Sequence, residues 1–233
     1  MCPDLTSKLP AFVLTVPKQI DRYTDFLKCN KEYFKYMDVE PFTAIPISDP
    51  LVLHIHAKRG GSKEEISNRV SFAAMLKEAK LRGWGRVLLL EDDVQFEGHA
   101  EHAFKIAIEG LPSDFKVFTF GTYFRNATPN DFRKVSPGLL SMGSNRIRFW
   151  GAHAFVFSES VYDECIANYE DPHGQITDEF IYKTLVKKYW HKCFVCRPMM
   201  AFSRPVVGMH SSFPFDSMKR KTLQILDTAG NVV

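Results

Sequence analysis

Arg86–Phe96 reads RVLLLEDDVQF, and its two halves make opposite demands. Val87–Leu90 is an apolar run long enough for one fully buried strand. It stops abruptly in Glu91, Asp92 and Asp93. Three carboxylates do not sit unpaired in a core, because desolvating each charge costs several kcal/mol. They belong at the strand's C-terminal end, the edge where open α/β sheets place their ligands. A hard divalent cation, Mg²⁺ or Mn²⁺, takes oxygen ligands and tolerates bridging phosphates, and would satisfy them. The alternation of an extended chain sends Glu91 and Asp93 to one side and Asp92 to the other. Two convergent carboxylates can share a metal, or hold a metal and a ribose. The alternative is an ordinary polar loop after a strand.

The segment before this strand reads as a helix. Ser62 and Glu65 have capping-box spacing, Ile66, Val70, Ala73 and Ala74 form an apolar stripe, and Gly83 ends it. Further upstream, Ala11–Val16 reads as a first strand closed by Pro17, with helical spacing following at Ile20, Tyr23, Phe26 and Leu27. Phe42–Ile47 reads as a second strand, short or edge-like because of Pro41 and Pro46. Asp49-Pro50 and Gly60-Gly61 mark 48–61 as a loop. Strand, loop, helix and strand imply a right-handed crossover and a mostly parallel sheet.

Beyond the acids, Ala100–Glu109 reads as a helix and Lys116–Phe120 as a strand ended by Gly121. Residues 122–146 read as a long polar loop, and such length in a compact domain marks function. Ile147–Trp150 and His153–Phe157 are strand-like around Gly151. Glu159–Tyr169 and Ile176–Tyr189 read as helices, Phe194–Phe202 as the last strand, and 203–233 as a polar tail. The expectation is a single α/β domain over 1–233, with 11–202 as its core and helices flanking a mostly parallel sheet.

Composition narrows the class. The 233 residues are 45% hydrophobic and 24% charged, and the net charge of +3 is too mild to imply nucleic acid by itself. No apolar run approaches the roughly 18 residues of a membrane helix. The N-terminus carries Pro and Asp where a secretory signal needs an uninterrupted apolar core. Five cysteines, an odd number without framework spacing, read as reduced thiols, and the chain as cytoplasmic. Cys193 and Cys196 form one CxxC without a second pair and fall on opposite faces of a strand, so they read as core cysteines. His54-Ile55-His56 alternates on a strand or loop edge as a weak metal pair.

The block SNRVSFAAMLKEAKLRGWGRVLLLEDDVQF resembles the central block of the family-25 glycosyltransferases, the lipooligosaccharide and procollagen sugar transferases. That family has a helix with a Ser-His pair near its start, a Gly-rich turn, and an apolar strand ending in Glu-Asp-Asp. This chain has Ser71-Phe72 at the Ser-His place. Its first strand followed by Arg22, the Trp150–Ser158 stretch and Thr177–Phe180 resemble further family segments. The resemblance implies a GT-A fold, a nucleotide-sugar donor with UDP as commonest carrier, and Mn²⁺ or Mg²⁺. It implies Asp93 as direct metal ligand, with Glu91 or Asp92 on the ribose or a metal-bound water. By analogy Thr15 and Pro17 serve the base or ribose and Arg22 offsets phosphate charge; Lys77 and Arg146 are further candidates for that charge, the alternative for each being a solvated surface residue. A histidine late in the chain completes many GT-A metal sites. His210, in Gly208–Ser212, has that position, and its imidazole leans the site towards manganese.

Inverting transfer needs a carboxylate to deprotonate the acceptor hydroxyl, and Asp178 is the choice. It stands near a helix N-terminus, whose dipole favours the ionised form; the bland alternative is a first-turn acid that only stabilises the helix. The expected acceptor is a saccharide or glycolipid, or a hydroxymethylated base in phage-type DNA, for which Arg125, Arg133, Lys134, Arg146 and Arg148 would line a phosphate backbone. The rivals are a nucleotidyltransferase and a non-catalytic nucleotide-sugar-binding module. The first would bring a Gly-rich phosphate loop after the first strand, where this chain has LTVPKQIDR.

Overall fold

Each interior strand buries both of its faces, and this sorts its side chains into two cores. The computed structural model describes residues 8–98, 100–204 and 215–229. Their elements are β1 (Leu9–Thr15), α1 (Ile20–Asn30), β2 (Met37–Thr43), α2 (Pro50–Arg59), α3 (Lys63–Leu81), β3 (Arg86–Glu91) and β4 (Val94–Phe96). Next come α4 (Ala100–Lys105), β5 (Val117–Phe124), β6 (Phe132–Ser136), β7 (Leu139–Met142), β8 (Phe149–Ser158) and α5 (Tyr162–Glu170). Then α6 (Thr177–Phe180) runs through a π-helical stretch, Ile181–Val186, into α7 (Lys187–Tyr189). β9 (Cys193–Cys196), β10 (Ala201–Ser203) and α8 (Phe215–Ala229) complete the described chain.

Eight strands form one sheet in the order β2-β1-β3-β8-β5-β9-β7-β6. Only β8 and β7 run against the other six. The mostly parallel α/β sheet flanked by helices that the GT-A resemblance implies is therefore what the chain forms. In β3, Val87 and Leu89 join one core and Leu88 and Leu90 the other. Phe72, Met75 and Leu76 of α3 pack in the first, and Phe26 of α1 and Phe104 of α4 in the second. Cys193 and Cys196 divide in the same way, buried on opposite faces.

Several sequence expectations are corrected. Segment 48–61 is a helix, because Asp49 caps it by accepting from the Leu51 amide, Pro50 takes the first turn and Gly60 ends it with φ of 71°. His54 and His56 thus lie two residues apart on a helix and diverge by about 200°, which excludes the metal pair. The second strand is Met37–Thr43, starting five residues before the expected Phe42, and it is the sheet edge that its proline implies. Residues 122–146 carry the end of β5 and the β6–β7 hairpin. The polar tail contains α8, whose Leu226 and Ala229 are buried in the first core.

Gly121 does not end its strand; β5 continues to Phe124. β10 crosses so close above it that an added Cβ would lie 1.7 Å from the Ala201 carbonyl oxygen. Gly121→Ala is therefore expected to cost about 3 kcal/mol or more in chemical denaturation. Gly85→Ala, where nothing lies within 4 Å, should stay within about 1 kcal/mol of wild type. Equal effects would refute the crossing.

Candidate active site at the carboxyl edge of the sheet

β1 and β3 are parallel neighbours with Leu14 opposite Glu91, so Thr15 and the three acids reach the same edge. β3 stops at Glu91, and Asp92 and Asp93 form a tight turn into β4. The strand alternation stops there as well: both aspartates face Arg22 of α1. The Arg22 guanidinium pairs with Asp92 Oδ1 and lies 3.9 Å from Asp93 Oδ2. The turn is held from three further directions. Buried Asn30 bonds the Val94 carbonyl and the Phe96 amide, and β10 pairs with β4. Arg204 donates to the carbonyls of Asp92 (3.1 Å) and Asp93 (2.8 Å from its backbone amide).

Burial pushes the Asp93 carboxyl up to about 6, assisted by the Glu91 charge and opposed by His153 and Arg22. Burial likewise raises Asp92, against the pull of Arg22. Burial also opposes ionisation of Glu91, but His153, Asn68 and Arg22 outweigh it, and its carboxyl lies below the usual range. His153 Nδ1 is 3.7 Å from Glu91 Oε2 and 2.9 Å from Ser203 Oγ. The ring packs edge-on against Tyr123 and back against Gly151, where a Cβ would fall 2.0 Å from His153 Cε1.

Glu91 lies in a cleft of about 350 Å³ that it shares with Asp178, Asn68, Thr177 and the α3 carboxylates Glu64 and Glu65. Asn68 bridges its walls, donating to Glu91 Oε1 (3.2 Å) and accepting from Thr177 Oγ1 (3.1 Å). Asp178 accepts from the amides of Gly151 (3.2 Å) and Glu179 (2.7 Å). Burial raises its carboxyl in spite of those two bonds, so the dipole that sequence reasoning relied on does not decide its ionisation. The turn leading to it is fixed by Arg69, which is fully buried and donates to the carbonyls of Asp171 and Gly174.

The structure thus brings Glu91, Asp92, Asp93, Arg22 and Asp178 to one edge. Thr15 lies there too, with its hydroxyl donating to the Phe42 carbonyl, and Pro17 opens an exposed turn beside it. Lys77 instead pairs with Glu170 of α5, and Phe72 is buried in the core rather than presented to the cleft. His210 lies outside the described residues. Asn68, His153 and Arg204 had no role in the sequence reading. His153 was hidden within an apolar strand, and the other two by their distance along the chain from the acids.

Asp92 Oδ2, Asp93 Oδ1 and His153 Nε2 are buried without a hydrogen-bond partner. Arg22 therefore engages one oxygen of Asp92 and stands near one of Asp93, leaving the second oxygen of each unsatisfied. No group of three His, Cys, Asp or Glu side chains is arranged to hold a metal among the described residues. Two carboxylates nevertheless fit a hard cation that keeps water and substrate phosphate as its other ligands.

No known protein family and no curated protein matches the chain. Its fold is similar to a glycosyltransferase involved in glycosylation of the major capsid of PBCV-1, with TM-score 0.49 and 9% identity over 94% of this chain and 100% of that one. Mouse xyloside xylosyltransferase 1 gives 0.46 at 8% identity, covering 80% and 84%. A Bacillus anthracis protein assigned to glucose-1-phosphate thymidylyl transfer gives 0.41 at 10%, covering 95% and 76%. At these TM-scores the likenesses decide nothing between glycosyl and nucleotidyl transfer. No described helix is long and apolar enough to cross a membrane.

Ionising Asp92 and Asp93 costs stability as pH rises through their raised folded-state values, and Arg22 offsets that cost only while they are charged. Arg22→Ala, in the presence of chelator, should lose about 2–3 kcal/mol at about pH 7.5 and much less at about pH 5. Urea denaturation at both pH values measures this; a loss independent of pH would mean that Arg22 acts only through packing.

Proposed function

We propose that the chain is a metal-dependent, inverting glycosyltransferase that moves a sugar from a nucleotide-sugar, with UDP as the first carrier to test, to an acceptor hydroxyl. The observation that carries this reading is the pair of buried, unsatisfied aspartate oxygens directly after Glu91, which lines a cleft together with Asp178. Asp93 would hold the cation directly and Asp92 a water of the cation or the ribose, while Arg22 favours the ionised form of both and pairs with Asp92. When bound, the metal supplies Lewis-acid neutralisation of the leaving diphosphate.

Asp178 takes the proton of the acceptor hydroxyl as that oxygen forms its bond to the anomeric carbon. The bond from the same carbon to the diphosphate oxygen breaks on the opposite side, and the electron pair leaves with the nucleoside diphosphate. A carboxyl raised by burial is a stronger base than an exposed aspartate and suits this role. Glu91 is held ionised by His153 and Asn68 and adds to the negative field that a cation relieves. His210, late in the chain as in many GT-A metal sites, is kept as the imidazole ligand that would favour manganese. The loop after β1 has no glycine and forms a single 3₁₀ turn, Pro17–Gln19, which disfavours the nucleotidyltransferase rival.

Purified protein with a panel of nucleotide sugars should release nucleoside diphosphate from one donor, faster with Mn²⁺. Asp93→Ala should abolish the metal-dependent part and His210→Ala weaken it. Release indifferent to metal and to Asp93→Ala would sink the reading, and pyrophosphate in place of nucleoside diphosphate would transfer it to the rival. With an acceptor in hand, Asp178→Asn should lower kcat by about 10²–10⁴-fold with little change in donor KM. The acid limb of the wild-type rate profile should lie above the ordinary aspartate range and be missing from this variant.

A further inference from the structure

Beside the acid cleft lies a second, larger depression of about 1050 Å³ with the opposite charge. Arg125, Arg146, Arg148, Lys183, Lys187 and Lys221 line it, against a single carboxylate, Asp131. These cations come from the end of β5, the approach to β8, the π-helical stretch, α7 and α8, so tertiary structure rather than one charged run gathers them. All six are exposed. Asp131 accepts from the Thr128 amide and hydroxyl at 2.8 Å and feels the Arg146 charge without forming an ion pair with it. Only Lys183 has a carboxylate partner among the described residues, Glu179 at 2.7 Å. The other five make no ion pair there, although the whole chain carries a net charge of only +3. Like charges held around one concave surface repel each other and focus a positive potential until an anion enters.

The two depressions adjoin along the chain: Gln175 lines the basin, and Ile176, Thr177 and Asp178 line the acid cleft. We infer that the basin binds the phosphodiester backbone of a nucleic acid strand and presents that strand to Asp178 as the acceptor. The presentation step rests on the transferase reading above; the binding does not. Several separated cations around a basin of this size suit a ligand with repeated charges better than a single anion. Half of them are arginines, whose forked donors match phosphate oxygens. The Arg125 guanidinium sits over the Trp150 ring at 4.5 Å, a stacked pair of the kind on which unpaired bases rest. Asn126, Asn145 and Gln175 supply amides between the cations for base edges or sugar hydroxyls.

The test is fluorescence anisotropy of a labelled single-stranded oligonucleotide, without donor, with hyaluronate as a carboxylated competitor. Five phosphate contacts on a single strand predict a log–log salt slope near −3.5, or about a 100-fold loss of affinity between about 50 and 200 mM salt. The combined variant Arg146→Glu, Arg148→Glu, Lys187→Glu should weaken binding at least about tenfold and flatten the slope by about 2, while Lys28→Glu on α1 changes neither. Circular dichroism confirms that the variant is folded. No binding at about 50 mM salt, binding untouched by the triple reversal, or displacement by hyaluronate at equal charge would each overturn the assignment. Oligonucleotide binding through the basin without donor turnover would leave the site standing and remove the transferase reading. Donor turnover without oligonucleotide binding would do the reverse.

Discussion

A buried strand that ends in three consecutive carboxylates imposes the constraint from which the rest of this edge follows. The strand must be central, since Val87–Leu90 are fully buried on both faces of the sheet. The acids then emerge where neither full solvation nor full burial is available to them. The fold answers with cations and amides drawn from distant segments: Arg22 on the carboxylates, Arg204 on the turn carbonyls, Asn68 and His153 on Glu91. The answer is incomplete. One oxygen of Asp92 and one of Asp93 are left unpartnered, and an unpaired buried polar atom costs about 1–3 kcal/mol, more when charged. Such a cost persists where a ligand relieves it, and for this reason the functional reading starts from these two atoms.

The parts of the fold legible in the sequence were those encoded locally. Ser62 caps α3 by accepting from the Glu64 and Glu65 amides, and the apolar run of β3 with its acidic stop is unambiguous at short range. Where reading failed, the same residue types served another purpose. Asp49-Pro50 and Gly60 are turn formers in isolation, but here they start and stop α2. Gly121 looks like the end of a strand, yet it is a glycine because β10 passes over it, and no window around Gly121 contains Ala201. The β6–β7 hairpin was hidden by its charged outer residues, Arg133 and Lys134, which face solvent on a sheet edge.

The site divides along the same line. Asp92, Asp93 and Arg22 could be named because each adjoins a legible strand. His153 could not be, since it occupies one alternation of an otherwise apolar strand and meets Glu91 only through the antiparallel β3–β8 pairing. Asn68 is one polar position on a helix buried nearly all round, and only the path of α6 shows why it must bridge Glu91 to Thr177. Long-range contacts of this kind depend on register, and register is a property of the assembled sheet.

Opposite charge on the two depressions constrains the order in which anions can enter this edge. A diphosphate approaching the cleft meets Glu64, Glu65, Glu91 and Asp178, and without a cation the field repels it. The basin attracts the same group without any cofactor. On the proposed function, a cation held at Asp93 would make the carboxylate cleft the more favourable place for a diphosphate, where without it the cleft is the less favourable. The permanently positive basin is then left to a partner whose charge is spread over several groups. A single fixed charge pattern would then separate a metal-requiring donor from a polyanionic acceptor without a moving part.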